Sequence, residues 1–290
     1  MIIKEVRKNK VKTTIIVIGF FLFIGALIYL LSFWFFQKPY LALGIALVMA
    51  SISAVISYYN SDKMVLSLSN AREATNEEYL QLNDSIEALC ISAGLPKPKV
   101  YVMDTPALNA FATGRNPKNA VVCVTTGLLN TLNKYELEGV LGHELSHIKN
   151  YDILLSTIAI IMVGFVSIIA DICSRGLLFG SNNDNKAGGI LMIVGFVFII
   201  LSPFFATLLK LAISRNREYL ADASSVQITR NNAGLISALE KLESQTTSME
   251  VNKATESLYI VNPLKKKERD SLFSTHPSTA NRIKKLQNIK

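Results

Sequence analysis

Four stretches of this 290-residue chain carry no charged side chain: Thr13 to Gln37, Pro39 to Ser61, Ile153 to Ala170 and Ile190 to Leu209. As a helix, each is long enough to cross about 30 Å of hydrocarbon. Buried helices of a large soluble domain usually keep a polar stripe, and these keep none. Half of the residues are apolar and the mean hydropathy is +0.33, more than one soluble core requires. The expectation is therefore two transmembrane hairpins. The first stretch runs well past the roughly 7–15 apolar residues of a signal peptide and no small-residue cleavage site follows it, so it reads as an anchor.

Lys4, Arg7, Lys8, Lys10 and Lys12 crowd the N-terminal side of the first stretch, against Lys38 in the first turnaround and Arg175 and Lys186 in the second. The positive-inside rule then places the N-terminus in the cytoplasm. Two hairpins return the chain to that side both times. The expected organisation is a hairpin in 1–61 (spans about 13–37 and 39–61), a first soluble part in 62–152, a second hairpin in 153–213 (spans about 153–173 and 190–209) and a second soluble part in 214–290. Both soluble parts share one compartment, which makes this a multi-pass protein of the inner (plasma) membrane with a cytoplasmic domain.

The net charge of +8 raises the question of nucleic acid. The basic residues, however, flank the apolar stretches or cluster at Lys265, Lys266 and Lys267 without interleaved aromatics, so no nucleic-acid partner is expected. Anionic headgroups of a lipid bilayer are one use for them, and a plain solvated face is the other. Cys90, Cys123 and Cys173 have no CxxC spacing, and no disulfide framework follows.

In the first soluble part, Tyr79, Leu82, Ile86, Leu89 and Cys90 recur at helical spacing until Gly94 and Pro96. Three β-rich runs follow, Lys99 to Met103, Asn109 to Thr113 and Ala120 to Thr125, with Gly114 to Asn119 as a turn between the last two. They predict a small antiparallel sheet. Asn133 and Glu136 then stand at capping-box spacing ahead of a helix with Leu137, Val140, Leu141, Leu145 and Ile148 on its apolar face.

That helix carries His143-Glu144-Leu145-Ser146-His147, an HExxH pattern. One helical turn apart, the two imidazoles point the same way. Neutral imidazole nitrogens suit zinc, and Glu144 beside them suits a general base that takes a proton from metal-bound water. A catalytic zinc needs a third protein ligand and an open position. Glu218, in the run Arg215-Asn-Arg-Glu-Tyr-Leu-Ala-Asp222, is the candidate. Asp222, one turn on, is placed to accept from the free ring N–H of a ligand histidine. A surface pair of acids bonded to Arg215 and Arg217 is the bland alternative. His147 lies just before the third stretch and Glu218 just after the fourth, so both stand roughly 10 Å above the membrane edge. One Zn2+ per chain and no other cofactor is expected.

HELSH, the later REYLADASS and four apolar stretches together resemble the HtpX family of membrane zinc peptidases over nearly the whole chain. The resemblance implies zinc on His143, His147 and Glu218, Glu144 as base, and Asp152 as the acid of an extended HExxHxxxxD form. Its fold class would be an α-helical integral membrane protein with an α+β zincin-like cytoplasmic catalytic domain, mostly helical with a small antiparallel sheet. Asn109, Ala110 and Phe111 are similar to the family's sheet edge, which takes a substrate peptide as an added strand. His276-Pro277-Ser278 with Arg282 looks like a motif that stabilises an oxyanion, although Asn281 stands where the family often has an acid; a helix cap at His276-Pro277 is the other reading. The implied activity is endopeptidase cleavage of protein or peptide substrates, membrane proteins among them, in stress response and quality control. A prenyl-protein endopeptidase of the CAAX type and a zinc-stabilised membrane scaffold are the rivals. The sequence leaves oligomeric state open.

Overall fold

The computed structural model describes residues 9–19, 58–160, 215–245, 255–261 and 277–289, with a few isolated neighbours. Most of the four uncharged stretches lies outside these residues. Among the described residues no helix is long and apolar enough to cross a membrane.

After helix α1 (Ser61–Leu68) and the two-residue strand β1 (Arg72–Glu73), helix α2 (Asn76–Ala93) begins at a full capping box. Thr75 accepts from the Glu78 backbone N–H while the Glu78 carboxylate accepts from that of Thr75, and the helix ends at Gly94 in the left-handed region, φ 67°. Leu82, Ile86, Leu89 and Cys90 are buried as the periodicity requires, whereas Tyr79, in the first turn, is exposed beneath the Lys97 ammonium.

The sheet has the order β1-β2-β4-β3, with β2 (Lys99–Met103), β3 (Ala110–Gly114) and β4 (Ala120–Thr125). It is mixed, which corrects the expected antiparallel sheet: β2 and β4 run parallel, while β1 on β2 and β3 on β4 are antiparallel. The chain leaving β2 does not turn back beside it. It passes to the far edge, forms β3, and returns through the Asn116-capped turn at Pro117–Asn119, so β4 fills the slot between. Parallel neighbours need such a crossover, and here β3 is the crossover.

All of β4 is buried because both sheet faces are covered. Val122 and Val124 pack with α2 and with helix α4 (Lys134–Lys149), which follows the short α3 (Thr126–Thr131). Val121 and Cys123 face the other way, toward Phe111, Leu155, Tyr259 and Ile16. The second soluble part supplies α5 (Arg215–Thr229), α6 (Asn232–Ser244) and α7 (Thr279–Gln287).

On α4 the Asn133–Glu136 capping box forms as expected, and the five apolar residues from Leu137 to Ile148 are all buried. The opposite face carries glycine. A Cβ at Gly139 would lie 2.7 Å from the Leu235 backbone nitrogen, and one at Gly142 would lie 2.8 Å from Ser225 Oγ. Bare backbone there lets α5 and α6 press against α4, and Ser225 donates to the Gly139 carbonyl at 2.7 Å. The Glu136 carboxylate takes hydrogen bonds from Ser237 (2.6 Å) and Lys241 (2.7 Å), fixing α6 at the helix start.

Candidate metal centre

Close packing of α5 on α4 brings Glu218 over the two histidines. His143 Nε2 and His147 Nε2 are 3.1 Å apart, and Glu218 oxygens lie 3.5 Å from the first and 3.7 Å from the second. His143 and Glu218 are buried, and His147 keeps 16% of its side chain exposed, so the open side is His147's.

Both remaining ring nitrogens are claimed. His143 Nδ1 lies 2.9 Å from Asp222, and His147 Nδ1 lies 3.0 Å from Asp152. With Nδ1–H donating to a carboxylate, each neutral ring turns its Nε2 lone pair inward. Two lone pairs and a carboxylate then face one another at near van der Waals distance, an arrangement that repels itself unless a cation stands between. In a tetrahedral zinc site with bonds of about 2.0–2.1 Å, neighbouring donors are about 3.3 Å apart. The three distances bracket that value, and two imidazoles with one carboxylate is a donor set that fits a divalent metal. Burial pulls the His143 pKa down, but the Asp222 and Glu218 carboxylates outweigh it and raise it to about 9. His147 is likewise raised, by Asp152 against burial. The pocket wants positive charge.

Asp222, one turn beyond Glu218 on α5, is where the sequence placed it. Burial pushes its pKa up, yet Arg282 and His143 hold it below the usual carboxylate range. Arg282 of α7 is fully buried: its Nε and Nη2 donate to the two Asp222 oxygens at 2.9 and 2.7 Å, and Nη1 donates to the Ile260 carbonyl at 2.8 Å. The guanidinium thus supports the ligand set from behind. His276 lies outside the described residues. Asp152 accepts from His147 on one oxygen and receives Arg217 at 3.4 Å on the other, an interaction that the sequence spacing alone did not reveal.

Glu144 is 2% exposed and burial raises its pKa. Among the described residues nothing donates a hydrogen bond to it. Asn109, Ala110 and Phe111 are buried. The Ala110 carbonyl accepts from the Ile260 N–H at 3.1 Å, and the Asn109 amide donates to the Val261 carbonyl at 3.1 Å. An added strand would have to displace residues 260–261 to pair at Ala110.

The HExxH helix, the distant carboxylate and the mixed sheet beside them define a metalloprotease. A model of Peptidase family M48 matches residues 74–290. The chain is 44% identical to the Protease HtpX homolog of Listeria monocytogenes serotype 4a, over 308 aligned residues covering 100% of both chains. It is 45% identical to the homolog of Dictyoglomus turgidum, over 98% of this chain and 93% of that one. The chain belongs to Peptidase family M48, among the HtpX proteases. The crystal structure of S. mikatae Ste24p shares the fold, with a TM-score of 0.51 and 20% identity over 98% of this chain and 67% of that one.

Proposed function

We propose that the chain is a zinc-dependent endopeptidase embedded in a membrane, with His143, His147 and Glu218 as ligands of one zinc ion and Glu144 as general base. The observation that carries this reading is the convergence of three lone-pair donors beside the buried Glu144 carboxylate, which shares its helix with both histidines and receives no hydrogen bond from the described residues. When bound there, zinc would polarise the scissile carbonyl and acidify a water molecule. Glu144, its pKa raised by burial, accepts the proton of the attacking water and passes it to the departing amine. Asp222 and Asp152 keep both rings in the tautomer that leaves Nε2 free.

Alternation along β3 supports a place for substrate. Asn109 accepts from Thr125 on β4, and Ala110 accepts from Ile260 on the outer side, so Ala112 also turns its N–H and C=O outward. A peptide strand pairing there would have to reach the buried Ala112 between the Ile260 contact at Ala110 and the Thr157 contact at Gly114. The four uncharged stretches and the basic N-terminal flank support a multi-pass membrane protein with its catalytic parts in the cytoplasm. Kinship with HtpX proteases supports damaged or misassembled membrane proteins as substrates.

The test is cleavage by the purified full chain in detergent with zinc, comparing an unfolded membrane protein with a prenylated peptide. Cutting of the unfolded protein, lost in Glu144→Gln and on chelation, is the expected result. Exclusive cutting of the prenylated peptide would overturn the substrate reading, and full zinc occupancy in Glu218→Ala would reassign the third ligand.

A further inference from the structure

The basic segment before the first uncharged stretch contains one residue that behaves unlike its neighbours. Arg7 and Lys10 are exposed, whereas Asn9 is 2% exposed. Its amide nitrogen has two hydrogens and both are used: one goes to the Asn150 carbonyl at 2.9 Å, the other to Asp152 Oδ1 at 2.7 Å. Those acceptors flank the turn that ends α4, where Tyr151 holds φ at 58°, a left-handed conformation that a tyrosine rarely adopts. The other Asp152 oxygen takes His147 Nδ1. Asn9 therefore stands two hydrogen bonds behind a residue that points at the metal position.

The contact is part of a face and not a single touch. Thr13, one turn on, is buried, and Ile16, nearly another turn on, packs against the cluster containing Phe111, Cys123 and Leu155. The Lys10 ammonium sits 4.3 Å from the centre of the Tyr151 ring. The chemistry of Asn9 fits its place. A neutral amide gives Asp152 Oδ1 a donor at 2.7 Å, closer than the Arg217 guanidinium at 3.4 Å, without adding a second positive charge, and leaves Oδ2 to the His147 ring. A carboxylate at position 9 would repel Asp152, and an aliphatic side chain would leave it short of a donor.

We propose that Asn9 is a positioning residue of the metal centre, acting through Asp152 on His147, so that the N-terminal helix is a working part of the protease as well as its anchor. This rests on the reading of His147 as a zinc ligand. Outer groups that orient metal-bound histidines typically account for about 10–100-fold in metal affinity.

The experiment measures zinc affinity of the full chain in detergent by competition with a chelating dye, alongside kcat, KM and the thermal midpoint. Asn9→Leu and Asn9→Ala should each weaken zinc roughly 10-fold or more and lower kcat more than KM, and Asn9→Asp should be worse. The exposed Thr14→Ala should match the parent. The double variant Asn9→Leu with Asp152→Ala should bind zinc no more weakly than Asp152→Ala alone, because both changes cut one chain of hydrogen bonds. Additive losses, or parent-like zinc affinity in both Asn9→Leu and Asn9→Ala, would overturn the proposal. His147→Ala separates this from the underlying reading: if it keeps full zinc affinity, the ligand assignment itself has failed.

Discussion

His143 and His147 sit one turn apart on the same helix, yet the structure holds them by different means. Behind His143 stands Asp222, gripped at both oxygens by the buried Arg282, which is itself tied to the Ile260 carbonyl. Behind His147 stands Asp152, held by the neutral amide of Asn9 and, more distantly, by Arg217. The first arm is a bidentate ion pair at 2.7–2.9 Å inside the protein. The second joins a neutral amide at 2.7 Å to a longer, single-contact ion pair at 3.4 Å, on the side where the centre opens. A bidentate charge pair fixes geometry but is costly to break, whereas one close neutral donor with a more distant charge orients a carboxylate less rigidly. The inner arm therefore reads as structural support, and the outer arm as the one that tunes the metal.

The comparison can be tested at several strengths. Glu144→Gln touches neither arm; it should lower peptide hydrolysis by about 10²–10⁴-fold while zinc content stays intact, as metal analysis and a cleavage assay would register. Next comes the inner arm. Arg282→Met strands the Asp222 carboxylate in the protein and should cost about 3–5 kcal/mol in denaturant unfolding. Arg217→Met should cost clearly less, and equal losses would erase the distinction between the arms. Asp152→Ala should act mainly on the metal, weakening zinc by about 10–100-fold in a dye competition with a smaller change in unfolding midpoint. The smallest effect belongs to the far end of the same helix: Lys241→Met removes a half-exposed partner of Glu136, and should shift stability by about 1 kcal/mol or less with zinc affinity unchanged.

Much of the centre was legible because its signals are local. HExxH needs only helical spacing, the Asn133–Glu136 cap announces that helix, and Glu218 with Asp222 repeat the one-turn spacing on α5. What the sequence hid were meetings between distant segments. Arg282 finds Asp222 across 60 positions and Asn9 finds Asp152 across 143, and no periodicity encodes either. Asn9 was further masked by its lysine and arginine neighbours, which read as a headgroup-facing cluster. Three of the four strands were found almost to the residue; the two-residue β1 was missed, Glu73 reading as the start of the helix that follows, and the order was not found, since alternation and turn residues predict a hairpin and say nothing about which earlier strand the hairpin will join. The Ile260 pairing at Ala110 was invisible for the same reason.

The buried grip of Arg282 on Asp222 also sets a schedule. A ribosome delivers Asn9 first, the histidines midway, Glu218 and Asp222 later, and Arg282 last. Until that arginine emerges, Asp222 lacks the two guanidinium hydrogen bonds that hold it behind the His143 ring. The last helix to leave the ribosome is thus the one that completes the support of the first metal-facing histidine.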